Sequence, residues 1–311
     1  MQNDSPRLSI GLPVYNGGAY LAQALESILA QSFTDFELII ADNASTDGTP
    51  GIIQEYASRD RRIRVQRNEQ NIGAAGNFNL AFELARGEYF KWAAHDDVLD
   101  PRFLEECIKV LDRDPSVVLC YSRVAQIDEA GNQTGAYDYP MNVGALRAVD
   151  RFHDLVLVEH FCIAIFGVHR RDVLKDTPLI GKYVGSDRTL LAELALRGRF
   201  CEIPDYLFLR REHANTSGRA FTVHRRLQWF DPNQKKKIYL PYWRAGLEFF
   251  KAANRVPLRF TERLVSDRIV LRWFFSRRKQ LFDDFKAVIV NTFPKSLEIV
   301  HGLRNFSGKK A

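Results

Sequence analysis

Three neighbouring side chains, His95-Asp96-Asp97, follow directly on a short apolar and aromatic run, Glu88 to Ala94 (E-Y-F-K-W-A-A). Adjacent carboxylates repel each other unless a cation or several donors lie between them. A pair of them at the end of a buried strand therefore points to a divalent-metal site, with a solvated turn as the alternative. Asp100 is different, because it stands before Pro101 and reads as the entry to a helix. The other groups able to hold a cation or move a proton are Asp42 and Asp47 in D-N-A-S-T-D-G-T, Asp187 in G-S-D-R, and His213 in R-R-E-H. Four widely spaced cysteines form no C-x-x-C pair, which argues against a zinc site and a disulfide framework alike.

The elements that must position these groups follow from the apolar pattern. Arg7 to Val14 is a short buried strand, Tyr15-Asn16-Gly17-Gly18 is its turn, and Tyr20 to Ala30 repeats Leu21, Leu25, Ile28 and Leu29 with a helical period. Phe36 to Ala41 is a second strand, ending in the loop Asp42 to Thr49 before a helix that Pro50 could open. Ile63 to Gln66 is a third strand, a helix runs from Asn71 through Asn77 to Leu84, and the Glu88 strand follows. Further on, Val117 to Ser122, Arg123 to Ile127 and Ile163 to Val168 read as strands, and Asp128 to Asn132 as a turn. Asp187 reads as opening an amphipathic helix with Leu190, Leu191 and Leu194 on its core side.

Alternating strands and helices of this kind predict an α/β fold, a Rossmann-like and mainly parallel sheet flanked by helices. Ligands then sit outside the carboxyl ends of the strands, where Tyr15-Asn16, Asp42 to Asp47, Asn71 and His95-Asp96-Asp97 would share one rim. Neither G-x-G-x-x-G nor G-x-x-x-x-G-K-[ST] is present, so neither a dinucleotide fingerprint nor a P-loop accounts for that rim.

L-P-V-Y-N (Leu12 to Asn16), D-N-A-S-T-D-G-T (Asp42 to Thr49), N-x-G (Asn71 to Gly73) and H-D-D (His95 to Asp97) resemble, in order and spacing, the motifs of the family 2 glycosyltransferases, over about residues 7 to 215. The resemblance implies a GT-A fold and inverting transfer of a sugar from a nucleotide-sugar donor to an acceptor hydroxyl on a saccharide or lipid-linked acceptor. It also implies Mn2+ or Mg2+ bridging the donor diphosphate. It assigns Pro13, Tyr15, Asp42, Asn71 and Asp96 to donor binding, Asp97 to the metal, and Asp187 to the general base. His213, in a segment resembling the family's Y-R-x-H-x-x-x-T-S ending, is assigned to the metal or diphosphate, with Arg210 or Arg211 offsetting charge. His95 departs from the family, where many members carry another Asp. Structural readings stand beside these: a turn or core edge shaped by Pro13 and Tyr15, side-chain-to-backbone bonds for Asp42 and Asp47, a helix cap or helix surface for Asn71 and Asn77, and a cap for Asp187.

The chain of 311 residues has a net charge of +6, but the sign is divided. From Arg219 onward 21 Lys+Arg face 7 Asp+Glu, whereas residues 1 to 218 carry 23 against 31. The strand-like pattern stops near Ser217-Gly218, which predicts a catalytic domain over 1–218 and a basic, aromatic-rich helical region over 219–311. Arg225-Arg226, Lys235 to Lys237, Trp229, Phe230, Trp243, Phe249, Phe250 and Trp273 to Phe275 interleave cations with aromatics. That mixture suits an anionic membrane surface, RNA, a partner helix, or simply a packed appendage. No apolar run is long enough to cross a bilayer and no signal core opens the chain, so a cytoplasmic protein, or one peripheral on the cytosolic face of a membrane, is expected. A sugar nucleotidyltransferase would want a basic glycine-rich phosphate loop near the N-terminus, and a nucleic-acid-binding protein would leave the acidic rim unexplained.

Overall fold

The computed structural model describes residues 5–138, 141–214, 223–232 and 239–292. Strands β1 (Leu8–Val14), β2 (Phe36–Asp42), β3 (Ile63–Arg67) and β4 (Tyr89–Trp92) form a parallel set in the order β3-β2-β1-β4. Helices α1 (Leu21–Leu29), α2 (Thr49–Arg59) and α3 (Gly73–Glu83) are its crossovers. β1 and β2 are buried along their whole length, which is why their sequences are almost continuously apolar. Leu8, Ile10, Leu12, Leu38 and Ile40 join one core layer with Leu21, Leu25 and Ile53 of α1 and α2, while Ile39, Phe90 and Trp92 face a second layer with Ala75 and Phe82 of α3.

The sheet continues through antiparallel and parallel neighbours into β5 (Val98–Leu99), β6 (Val117–Ile127), β7 (Gln133–Tyr137), β8 (Val168–Arg170) and β9 (Arg199–Arg211). The full order is β3-β2-β1-β4-β8-β6-β9-β5, with β7 paired to β6. Helices α4 (Phe103–Arg113), α5 (Ala148–Leu157), α6 (Arg171–Lys175) and α7 (Ser186–Arg197) complete the flanking layers. β9 is long enough to run beside β6 in parallel and then pair antiparallel with β5, matching Val98 to Leu209 and Leu99 to Phe208. That register carries Arg210 and Arg211 past the end of β4, opposite Asp96 and Asp97.

Two elements differ from the sequence expectation. Ile163 to Val168 is not one strand: Ile163–Phe166 forms a 3-10 turn, and the strand starts at Val168. Apolar composition buries both conformations equally well, so it could not separate them. α7 is not amphipathic either, since Ser186 and every residue from Thr189 to Leu196 is buried, Glu193 included. Its cap residue is Gly185, at φ 86°, rather than Asp187.

The described C-terminal helices are α8 (Val223–Phe230), α9 (Pro241–Arg255), α10 (Phe260–Ser276) and α11 (Arg278–Thr292). Ser217, Gly218, Arg219 and Lys235 to Lys237 lie outside the described residues, as does any boundary drawn there. Phe249, Ala253, Ile269, Val270 and Trp273 share a core layer with α5 and α7. Glu193 of α7, fully buried, is bonded by Arg197 at 2.8 Å and by Arg255 of α9 at 2.6 Å. Most of the described tail aromatics thus pack inward.

A buried lysine lies at the centre of the sheet. Lys91 of β4 has no exposed surface, and its Nζ donates to the carbonyls of Trp92 (3.1 Å) and Phe166 and lies 4.8 Å from the ring of Phe103. Burial brings its pKa down to about 7. The unfolded chain keeps that proton to about pH 10.4, so between about pH 7 and 10 it binds more protons than the folded chain and stability rises with pH. Relative to Lys91→Met, the wild type should gain about 1.4 kcal/mol of unfolding free energy per pH unit across that window, measured by denaturant melts. A pH-independent difference would mean that Lys91 keeps its charge.

Candidate active site

The loops after β1 and β2 are stitched together before any ligand arrives. Asn16 Oδ1 accepts from the Thr46 amide at 2.8 Å, and the Asn16 amide donates to Ser45 Oγ at 2.9 Å. Gly17 N donates to Thr49 Oγ1, and Asp47 accepts from the amides of Gly18 and Thr49. Asn16 and Ala44 hold φ of 52° and 60°, left-handed conformations that each cost on the order of 1 kcal/mol outside glycine. Gly17 is required for another reason, since a Cβ there would meet the His95 ring at 2.6 Å.

Asp42 is buried at the end of β2. Its Oδ1 accepts from the Ser45 amide and its Oδ2 from Arg67 Nη1 at 2.6 Å, so it fixes the loop and orients a half-exposed guanidinium at the end of β3. Pro13 is buried in β1, and Tyr15, 42% exposed, extends from the same strand end. Asn71 Oδ1 accepts from Gly73 N and from Asn43 Nδ2, which caps the start of α3 and ties it to the β2 loop. Asn77 is buried, bonded to the Ala41 carbonyl and to Asn68, and so braces the end of β2 instead of lying on a helix surface.

The two carboxylates after β4 have opposite environments. Asp96 Oδ2 accepts from His213 Nε2 at 3.0 Å. Burial works against its ionisation, yet that hydrogen bond and the charges of His95 and His213 hold its carboxyl below the usual range. The same bond raises His213 above the ordinary imidazole value. Among the described residues, Asp97 Oδ1 accepts only from the Arg211 amide, at 3.0 Å. Burial, and then the charge of Asp96, push it up to about 8.

Arg211 is the buried centre of this arrangement. Its Nε donates to the Asp96 carbonyl at 3.0 Å, its Nη1 to the carbonyls of Asp128 and Glu129, and its Nη2 to Gln23, while its guanidinium covers the Tyr20 ring at 4.8 Å. Arg210 points elsewhere, bonded to Tyr137 and Glu212. The sequence offered the two arginines as interchangeable; only the pairing of β5 with β9 separates them. Arg67 and Gln23 had no signal in the sequence, since each acts through a partner distant along the chain.

Asp187 is half-buried in the first turn of α7 and is bonded to none of these groups among the described residues. Its Oδ1 accepts from the Arg188 amide. Arg188 in turn donates to the carbonyls of Val158 and His160, so Asp187 lies against the connection that follows α5, where its charge adds to burial in pushing the Cys162 thiol up. A carboxylate there gains from the positive end of the helix.

Among the described residues no three His, Cys, Asp or Glu side chains form a self-contained metal cage. Asp97 nevertheless suits a dication, because burial and the neighbouring Asp96 charge make its ionisation costly until a cation offsets it. Mg2+ and Mn2+ sites often take one or two carboxylates and complete their shell with phosphate oxygens.

Residues 9–177 match the family model described as Glycosyl transferase family 2. An uncharacterized protein of Mycobacterium tuberculosis is 33% identical over 219 residues, covering 69% of this chain and 61% of the relative. The Escherichia coli chondroitin synthase is 36% identical over 138 residues, 44% of this chain and 20% of the synthase. The chain thus spans less than two thirds of the length of these relatives. Among solved structures, Staphylococcus aureus TarS 1–349 in complex with UDP-GlcNAc superposes with a TM-score of 0.63 at 16% identity, over 92% of this chain and 81% of that one. The Pyrobaculum calidifontis mannosyltransferase with GDP-Man and Mn2+ gives 0.52 at 17% identity, over 97% and 81%. At these identities the likeness establishes the fold.

Arg211→Lys keeps the charge but cannot reproduce a fork that reaches four separate acceptors. It should destabilise the chain by about 3 kcal/mol, since hydrogen bonds from charged donors contribute roughly 1.5–3 kcal/mol each and the freed carbonyls stay buried. Arg210→Lys, which keeps a charge beside Glu212 and Tyr137 and strips no backbone carbonyl of its donor, should cost less, about 1 kcal/mol. Denaturant melts of the two variants check the contrast, and equal losses would remove Arg211 from its central place.

Proposed function

This chain belongs to glycosyl transferase family 2, and from that premise we propose that it is a glycosyltransferase that transfers a sugar, with inversion, from a nucleotide-sugar donor to the hydroxyl of a saccharide or lipid-linked acceptor. The observation that carries the reading is the convergence at one sheet rim of Tyr15, the Asp42 loop and the Asp96-Asp97 pair, from the carboxyl ends of three adjacent parallel strands. Solved relatives of the same fold hold UDP-GlcNAc and GDP-Man, which supports a nucleotide-sugar donor here.

In this proposal Pro13 and Tyr15 frame the base, and Asp42 contacts it beside the Arg67 guanidinium it already holds. Asn71 lines the same pocket at the start of α3, and Asp96 reaches the ribose or donor sugar. Asp97, with His213, would hold Mn2+ or Mg2+ beside the donor diphosphate. Such an ion supplies charge neutralisation for the departing diphosphate. The mannosyltransferase with GDP-Man and Mn2+ supports that choice of cofactor.

Asp187 takes the acceptor proton on a carboxylate oxygen while the acceptor oxygen bonds to the anomeric carbon, from the face opposite the diphosphate. The bond from carbon to diphosphate oxygen breaks in the same step, and a nucleoside diphosphate leaves. No enzyme nucleophile is required, and an ordinary carboxylate suffices because the hydroxyl becomes acidic as it attacks.

A panel of nucleotide sugars, read by nucleoside diphosphate release, identifies the donor; a nucleotidyltransferase would consume a triphosphate and release pyrophosphate instead. With that donor, Asp187→Asn should bind donor normally and lose about 10²–10⁴-fold in kcat, the range for a general base. Since Asn serves a helix N-terminus about as well as Asp, near-normal turnover would return Asp187 to a structural role.

A further inference from the structure

The face of α10 turned away from the core has a composition that packing does not explain. One side of this 17-residue helix buries Ser266, Ile269, Val270 and Trp273. On the other side the exposed residues are Phe260, Leu264, Leu271 and Phe275, two arginines, Arg268 and Arg272, and the small Thr261 and Ser276. Phe260 is 77% and Phe275 72% exposed. At 100° per residue the four apolar positions fall within about 60° of arc, with both arginines on one flank. No carboxylate of α10 is exposed beside them, since Glu262 and Asp267 lie partly buried. α11 repeats the pattern: Phe282, Phe285 and Ile289 are exposed at helical spacing, together with Arg278, Lys279 and Lys286, against the one exposed acid Asp283.

We propose that this face of α10 and α11 docks the enzyme on an anionic lipid surface, its phenylalanines and leucines entering the boundary between headgroups and acyl chains and its arginines and lysines meeting lipid phosphates. The residues differ from those a reading of composition would choose, because Phe249, Phe250, Trp243 and Trp273 are spent on packing and the exposed set on these two helices is Phe260, Leu264, Leu271, Phe275, Phe282, Phe285 and Ile289. No described helix is long and apolar enough to cross a membrane, so the attachment is interfacial. A second copy of the chain fits less well. Two-fold pairing would set the cations of one copy against those of the other, and the sequence beyond Thr292 adds four Lys and Arg and one Glu of the same net sign. The inference does not depend on the roles given to Asp97 or Asp187.

The test uses the full chain with vesicles of phosphatidylcholine containing about 30 mol% phosphatidylglycerol, beside vesicles of phosphatidylcholine alone. The wild type should sediment with the anionic vesicles at low salt and be released as salt rises. Arg268→Gln with Arg272→Gln should weaken partitioning about 30-fold at low salt, roughly fivefold for each cation. Leu271→Ser with Phe275→Ser should weaken it at least tenfold, including at salt concentrations where the arginine variant no longer differs from wild type. Both pairs are exposed, and circular dichroism melts establish that the variants fold. Indifference of the wild type to anionic vesicles, or variants that bind as it does, would overturn the proposal. So would light scattering that shows a dimer dissociated by Phe275→Ser without vesicle binding.

Discussion

A single buried guanidinium organises the acidic rim. Arg211 sits where the two unlike halves of the sheet meet, and it satisfies carbonyls of the strand end at Asp96 and of the turn at Asp128 and Glu129, together with Gln23 of α1. Its own amide holds Asp97. A buried cation without a carboxylate partner is costly unless its donors are nearly all used. The geometry of β9 is therefore constrained: a one-residue slip that put Glu212 in the place of Arg211 would leave the carbonyls around Asp96 without donors.

With that point fixed, the electrostatics of the rim follow. The His213 hydrogen bond and the charges of His95 and His213 let Asp96 stay ionised, and an ionised Asp96 makes its neighbour harder to ionise. Asp97 is thus a carboxyl whose ionisation calls for a further cation, whereas Asp42, Asp47 and Asn16 have spent much of their hydrogen-bonding capacity on the loops that carry them. Rigid loops around one electrostatically unsatisfied carboxyl make a preorganised arrangement for a polyanion arriving with a metal ion. Asp187 belongs to a different element, at the head of a helix buried on all sides and clamped by Glu193 to α9, so the tail helices share the scaffold that positions it.

Much of this was legible in the sequence because burial on both faces gives parallel strands unbroken apolar runs. L-S-I-G-L-P-V and F-E-L-I-I-A-D could hardly be anything else, and parallel strands bring their polar carboxyl ends to one rim without further information. Three features escaped for physical reasons. I-A-I-F is as compatible with a buried 3-10 turn as with a strand. The helix from Ser186 is enclosed by α5, α9 and the sheet, so its pattern gave neither a polar face nor a cap of the usual type. Arg211, a buried charge, and Lys91, a buried amine, depend on partners that the tertiary fold brings to them, and neither was singled out by the residues next to it. In the tail, composition indicated aromatics and cations correctly but not which face they take; α10 turns Trp273 inward and Phe275 outward, two positions apart.

The claim on which the chemistry rests is that a donor diphosphate and its metal ion meet at Asp97. Crystals grown with Mn2+ and a nucleoside diphosphate, measured at a wavelength where manganese scatters anomalously, would locate the ion directly. The expected result is a single anomalous peak about 2.2 Å from an Asp97 carboxylate oxygen, with the diphosphate on its far side and the base against Tyr15. A manganese ion and diphosphate bound together at any site that leaves Asp97 bonded only to the Arg211 amide would contradict it.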